Sequence, residues 1–170
     1  MLNPNTFINM ILKKPICNKK ERTGSVAATK TPRTAGIPTG TSKEDIKARE
    51  KIISDFYRNW YAKHLDKKVF NIHLNEYINV RFLSITETKR HAAKSYLSTL
   101  AVLQLDSVLA TAKQYGKPHK PKIGVKNQED FSSIIEMHCK LYGIGEVKMT
   151  VGVKRKTNEK IQYCVTVIQT

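Results

Sequence analysis

The sequence has few acidic residues for its length. Only 14 of its 170 residues are Asp or Glu, against 30 Lys and Arg, so the formal net charge is +16. A compact chain with this imbalance repels itself unless an anionic partner offsets the charge. A nucleic acid is therefore the first partner to expect, and a basic protein that is merely soluble is the alternative.

Cysteines and long apolar runs are also scarce. Cys17, Cys139 and Cys164 are far apart and form no Cys-x-x-Cys or Cys/His spacing, which argues against a disulfide framework and a structural zinc site and indicates synthesis in a reducing cytoplasm. No run approaches the roughly 18 apolar residues of a membrane span. We therefore expect no metal, no other cofactor and no membrane partner.

Residues 1–41 differ in composition from the rest of the chain. They contain a single acid, Glu21, and the stretch 23–41 consists largely of Thr, Gly, Ala, Pro and Ser. Such a segment buries too little apolar surface to offset the entropy lost on ordering. We expect an extended basic arm that binds nucleic acid or neighbouring subunits of a large assembly.

Apolar and polar residues alternate from residue 134 to 168. Successive side chains of a β-strand point to opposite faces, so the pattern predicts a three-stranded antiparallel sheet with one apolar and one polar face. The predicted apolar face carries Ile135, Met137, Cys139, Leu141, Val147, Met149, Val151, Val153, Ile161, Tyr163, Val165 and Val167.

A helix is predicted to begin after residue 41 and to extend over 42–64. Thr41 or Ser42 supplies the cap, and Glu44 or Asp45 completes the capping-box spacing.

The segments between this helix and the sheet complete the predicted fold. Two strands are expected over 69–83, and Thr86 as a cap predicts helices over 87–115, which would cover the apolar face of the sheet. A basic loop follows over 116–130. Residues 42–170 are thus predicted to form one α+β domain, with helices packed on one face of an antiparallel sheet, behind the basic arm.

Four segments and one tyrosine carry a family resemblance. They are Ile-Thr-Glu-Thr-Lys-Arg-His at 85–91, the segment 103–112, the strands beginning at 134–138 and 147–151, and Tyr163. Over about residues 77–168 the chain resembles the superfamily that unites barnase, EndoU, the colicin tRNases and RelE, and within it the nuclease-like domains of phages and mobile elements. The resemblance implies an RNase-like fold and metal-independent RNA cleavage on the open face of the sheet.

The polar face of the predicted sheet contains groups that such cleavage needs. Glu136 and His138 share one side of a strand, about 7 Å apart at two-residue spacing. One would take the proton of the ribose 2′-OH, and the other would protonate the leaving 5′-oxygen. Lys148 would stabilise charge on the phosphate, and His91 would be a second acid or a phosphate contact. Pairs of opposite charge on any solvated sheet face give the same pattern.

Other basic residues are interpreted as phosphate contacts. His64, His73 and His119 are interpreted as incidental, because none has the spacing of a metal site. The predicted nucleic-acid contacts are Lys13, Lys14, Lys19, Lys20, Arg22, Lys89, Arg90, Lys117, Lys120 and Lys122.

Two main classes of function fit these features. In the favoured one, the protein is a basic nucleic-acid-associated structural component of a large assembly, a phage virion, and its arm laces it to other subunits. In the other, it is a metal-independent endoribonuclease using Glu136 and His138. A ribosomal or chromatin-like protein is a third possibility, in which the arm carries most contacts. A fold resemblance alone does not establish an activity.

Overall fold

The computed structural model describes residues 36–168, which form an α+β fold with four helices and a six-stranded sheet. The predicted arm residues 1–35 lie outside this range. In chain order the elements are α1 (Lys43–Lys63), β1 (Lys68–Asn71), β2 (Glu76–Asn79), α2 (Phe82–Ala92), α3 (Tyr96–Val102), α4 (Leu105–Thr111), β3 (Lys113–Gln114), β4 (Phe131–Leu141), β5 (Gly145–Lys154) and β6 (Lys160–Val167).

The strands pair in the order β1-β2-β6-β5-β4-β3. The three C-terminal strands are antiparallel neighbours, as the alternation predicted. Gly143 and Gly145 adopt positive φ in the turn between β4 and β5, a conformation that glycine reaches without steric cost. The hairpin of β1 and β2 joins this sheet through a short parallel contact, with Ile78 opposite Lys160, so the sheet is mixed.

One face of the sheet packs against the helices. Ile135, Met137 and Met149 are buried in the same cluster as Val108 and Leu109 of α4. The predicted cover of the apolar face by the 97–115 region is therefore confirmed. We call the opposite side of the sheet the outer face.

A bulge in β6 changes which residues face the helices. Thr150 is opposite Cys164, but Val151 is opposite Gln162, so Tyr163 is an extra residue in β6. Because side chains alternate along a strand, one inserted residue reverses the faces on either side of it. The prediction that Ile161 and Tyr163 lie on the same face as Val165 and Val167 is therefore wrong. Ile161 and Tyr163 instead pack with Phe131 and Ile134 in a second cluster.

Gln162 takes the position facing the helices and is fully buried. The Tyr57 hydroxyl donates to Gln162 Oε1 at 3.2 Å, and Gln162 Nε2 donates to Thr88 Oγ1 at 2.7 Å. Burial raises the pKa of Tyr57 far above its usual value. This polar chain connects α1 and α2 to the central strand.

Two predicted boundaries in the middle of the chain are wrong. The strand expected to reach residue 83 ends at Asn79, and α2 begins at Phe82 rather than after a Thr86 cap. The Ser84 hydroxyl accepts the Arg81 N–H at 2.8 Å at this helix start. The buried positions of α2 are Ser84, Glu87, Thr88 and Ala92, so the helix shows no apolar stripe in sequence.

The predicted helical region 87–115 also ends too late. The helix α4 ends at Thr111, and β3 follows at once and pairs with β4, with Lys113 opposite His138. The chain passes from helix to strand within a few residues because an edge position beside β4 is available there.

The start of α1 agrees with the predicted capping box. Ser42 Oγ accepts the Asp45 N–H at 3.1 Å, and Asp45 Oδ2 accepts the Ser42 N–H at 3.3 Å. The fully buried Arg49 donates to the carbonyl oxygens of Pro38 and Gly40 at 2.7 and 2.8 Å. Residues 38 and 40, which composition assigned to the arm, therefore contact α1.

Candidate functional site

The outer face of the sheet contains a cleft of about 440 Å³ between α2 and the basic loop. Strands β4, β5 and β6 form its floor, α2 forms one wall, and residues of the loop 116–130 form the other. The cleft is lined by Glu87, Arg90, His91, His119, Lys122, Val125, Gln128, Ile134, Glu136, Lys148, Thr150, Tyr163, Cys164 and Thr166.

Glu136 and Lys148 form an ion pair on the floor of the cleft. Lys148 Nζ lies 2.7 Å from Glu136 Oε2, and His138 Nε2 lies 2.8 Å from Glu136 Oε1. The hydrogen bond from Lys148 is the main reason that the pKa of Glu136 is below its ordinary value, and the bond to His138 adds to the effect. Glu136 is therefore an ionised acceptor at neutral pH.

His138 lies beside the cleft between two carboxylates. Its Nδ1 is 2.8 Å from Glu146 Oε1, while its Nε2 is bonded to Glu136. The ring of Tyr115 stacks on it at 4.2 Å between centroids, almost parallel. Both ring nitrogens of His138 are thus engaged by carboxylates. His138 is not among the residues that line the cleft, and it holds Glu136 in position from one side.

The wall formed by α2 contributes His91 and Arg90. His91 is one helical turn from Glu87, and their side chains are 3.7 Å apart. Glu87 is almost fully buried and accepts a hydrogen bond from Asn127 Nδ2 at 2.7 Å, which ties α2 to the loop. Arg90 is exposed at the mouth of the cleft.

The loop wall contributes His119 and Lys122. The backbone of His119 pairs with that of Ile134 through hydrogen bonds of 3.0 and 2.8 Å, which fixes the loop against β4. The Lys122 N–H donates to the buried Gln128 side chain at 2.8 Å. His119 was interpreted as incidental from sequence, but it lines the cleft. A single histidine in a loop gave no signal of this position.

The rear of the cleft is apolar. Tyr163 and Cys164 belong to or pack against the cluster of Phe131 and Ile134. Burial raises the pKa of Tyr163 above its usual value and that of the Cys164 thiol to about 12. Cys164 is therefore a neutral thiol near pH 7, without the thiolate character of a nucleophile.

The structure brings together about half of the predicted site residues that it describes. Glu136, Lys148, His91, Arg90 and Lys122 line the cleft. His138 lies behind Glu136, Lys120 borders a neighbouring hollow, and Lys89 and Lys117 line neither. Lys13, Lys14, Lys19, Lys20 and Arg22 lie outside the described residues.

Neither a metal site nor a membrane-spanning helix is found in residues 36–168. Within this range no group of three or more His, Cys, Asp or Glu side chains is arranged to hold a metal ion. None of the helices described has both the length and the apolar character needed to cross a membrane.

The ion pair of Glu136 predicts a pH-dependent stability. A carboxyl group with a lowered pKa in the folded state stabilises the fold above its ordinary pKa of 4.5, and this contribution is lost as the pH falls through the folded-state pKa. We expect Glu136→Gln to lower the free energy of unfolding by about 1–2 kcal/mol near neutral pH, and the difference from the parent to shrink below pH 4.5. Urea denaturation at several pH values measures this.

The matched control for this prediction is Glu129→Gln. Glu129 is exposed, and within the described chain its carboxylate makes no ion pair, so its replacement should leave the unfolding free energy nearly unchanged. A deficit of Glu136→Gln that stays the same at acidic and neutral pH would contradict the prediction.

Comparison with known proteins identifies a family but no individual relative. No curated protein and no solved structure matches the chain significantly. The model of a family described as large polyvalent protein-associated domain 3 matches residues 48–163, which is more than half of the chain and includes most of the cleft floor. This match points to a domain associated with phages or mobile elements, as the resemblance implied, and does not address a nuclease superfamily. The chain belongs to the large polyvalent protein-associated domain 3 family.

Proposed function

We propose that this domain binds the phosphates of a nucleic acid in the outer-face cleft, as a component of a phage-associated nucleoprotein assembly. One observation carries the proposal: Arg90 on α2 and Lys122 on the loop border the same cleft from opposite walls. Neither cation forms an ion pair with an acid in the part of the chain that the structure describes. Both are therefore available to an anionic ligand.

The size and chemistry of the cleft fit one nucleotide of a strand. Sites of a few hundred Å³ enclose ligands of about the size of a small drug, and the cleft measures about 440 Å³. Its apolar rear wall, with Tyr163 and Ile134, offers a surface for a base or sugar, and its exposed cations Arg90 and Lys122 are accessible to the phosphates of a strand. A duplex is too wide to enter a hollow of this volume.

The remaining charge of the chain supports an assembly role. The net charge of +16 favours an anionic partner that neutralises it. In this proposal the basic residues within 1–41 add phosphate contacts, and this segment connects the domain to neighbouring subunits of a virion or similar particle. The family match supports the phage setting of this role.

Removing the two wall cations tests the cleft. We expect Arg90→Gln/Lys122→Gln to weaken binding of a labelled 2′-O-methyl RNA or DNA strand about ten-fold or more, because two phosphate contacts are lost. Each lost contact should also reduce the slope of log K against log salt by about 0.7 for a single strand. Fluorescence anisotropy titrations at several salt concentrations provide both values.

The control removes the same charge from the opposite side of the domain. Lys47→Gln/Lys51→Gln changes two exposed lysines of α1 and should change affinity far less than the cleft variant. Equal losses in the two variants would mean that only net charge matters, and would contradict a binding site in the cleft.

A second candidate function is metal-independent cleavage of RNA in the same cleft. The observation that favours it is the presence of two imidazoles, His91 and His119, in the cleft with the ionised Glu136. Glu136 would accept the 2′-OH proton while the 2′-oxygen attacks the phosphorus, and an imidazolium would protonate the leaving 5′-oxygen. Lys148 would stabilise the negative charge that develops on the phosphate.

The geometry alters the roles expected from sequence in this second proposal. His138 is engaged by Glu136 and Glu146, so it would position the base, and His91 or His119 would be the acid. The lowered pKa of Glu136 keeps it ionised but makes it a weak base, so Lys148 would have to shift toward the phosphate during the reaction.

An RNA-cleavage assay in EDTA separates the two candidates. If the protein is an endoribonuclease, the parent should cut RNA without metal, and Glu136→Gln should lose about 100-fold or more of the rate while still binding the 2′-O-methyl strand. His91→Gln and His119→Gln identify the acid in the same assay. Binding by the parent without cleavage would reject the enzyme and leave the binding proposal intact.

A further inference from the structure

A row of basic residues leads away from the cleft on the outer face. A hollow of about 450 Å³ next to the cleft shares Lys122 with it and also borders Lys120 and Arg155. A third hollow, of about 290 Å³, shares Arg155 and adds Lys154 and Lys156. We call these five residues the basic track. The shared residues make the three hollows successive parts of one surface.

Within residues 36–168 the track cations form no ion pair, unlike three other basic residues in or next to the sheet. Lys148, Lys160 and Arg81 each lie within an ion pair, with Glu136, Glu76 and Glu159 respectively. None of the five forms such a pair in that range, although Glu129 lines the second hollow and Asp130 the third. The five cations outnumber these two acids, so the track keeps a net positive charge.

The position of Arg155 is fixed by the backbone of the turn just before β4. Its N–H donates to the Asp130 carbonyl at 3.0 Å, and its Nε donates to the Glu129 carbonyl at 3.2 Å. These bonds hold the guanidinium at the junction of two hollows and leave its terminal amino groups for an anion. Glu129 and Asp130 thus bind Arg155 through their backbone carbonyl oxygens and not through their carboxylates.

The turn that follows β5 presents the end of the track. The Lys154 N–H donates to the Glu159 carbonyl at 3.0 Å, and the Asn158 N–H donates to the Lys154 carbonyl at 3.0 Å. Asn158 has a positive φ, a conformation that asparagine adopts more readily than most residues. The closed turn keeps Arg155 and Lys156 at one end of the outer face.

We infer that the ligand of the cleft is a single strand several nucleotides long, whose backbone leaves the cleft past Lys122 and follows the basic track to the turn at 154–156. This inference rests on the proposed binding function and adds the length and path of the ligand. Each hollow accommodates about one nucleotide by volume. A mononucleotide would use only the cleft, and an extended strand would neutralise all five track cations.

A strand fits the track better than an acidic peptide does. Nucleic-acid phosphates recur at short intervals along a backbone with one charge each, and unpaired cations along a groove are the usual means of following it. The cleft at the start of the track also contains an apolar wall suited to a base. An acidic peptide would bind the cations but would not need that wall.

The test compares a mononucleotide with a long strand. The probes are a 5′-labelled mononucleotide, which occupies only the cleft, and 5′-labelled DNA and 2′-O-methyl RNA of about 16 nucleotides, the upper end of the site sizes of small single-strand-binding folds. The track variant is Lys120→Gln/Arg155→Gln/Lys156→Gln, which leaves Lys122 of the cleft unchanged. Its matched control is Lys43→Gln/Lys47→Gln/Lys51→Gln on α1, which removes the same charge from exposed positions. A polyglutamate competitor is included, and circular dichroism checks that each variant is folded.

We expect the track variant to bind the long strand with an affinity lower by about ten-fold or more. The slope of its log K against log salt should fall in magnitude by about 2, because three phosphate contacts are lost. Its affinity for the mononucleotide should be unchanged, and the α1 control should bind both probes nearly as the parent does. A track variant that binds the long strand like the parent would overturn the track and leave the cleft proposal standing. Equal competition by polyglutamate would also overturn it. If the parent binds neither probe, both proposals fail together.

Discussion

The hydrogen bonds of the buried Gln162 are the constraint on which the arrangement of the site depends. Gln162 accepts from Tyr57 of α1 and donates to Thr88 of α2, so one side chain in β6 fixes two helices to the sheet. Its amide faces the helices only because Tyr163 is inserted in the strand. The same insertion places Tyr163 on the outer face, at the rear of the cleft. A buried polar group left without its partner costs roughly 1–3 kcal/mol, so these bonds strongly favour one position of α2.

The chemistry of the cleft follows from that position of α2. With α2 held along β6, Glu87 reaches Asn127 of the basic loop, and Arg90 and His91 face the strands that carry Glu136 and Lys148. The loop is held from its other side by the backbone pairing of His119 with Ile134. Two walls are thus fixed around a charged floor. Paired charges on the floor, such as Glu136 with Lys148, are pre-arranged, while the unpaired cations lie at the rim and along the basic track.

Sequence patterns predicted the fold class but only part of the site. The alternation of apolar and polar residues was sufficient to predict which side chains of β4 and β5 face the helices, because the two strands pair without an inserted residue from Ser133 to Leu141. Ser42 and Asp45 marked the start of α1. The bulge at Tyr163 was not predictable, since an alternating pattern read without a gap assigns Gln162 to the wrong face. The start of α2 was missed because its buried residues are small and polar. His119 was missed because its role depends on a tertiary pairing with β4.

The central claim is that a single strand occupies the outer-face cleft. The most direct measurement is a titration of the ¹⁵N-labelled protein with an uncleavable 2′-O-methyl RNA strand, followed by the shifts of assigned backbone amides. We expect the largest changes at Arg90, His91, Lys122 and Lys148, and smaller ones toward Arg155. Changes confined to α1, or spread evenly over all exposed lysines, would contradict a binding site in the cleft.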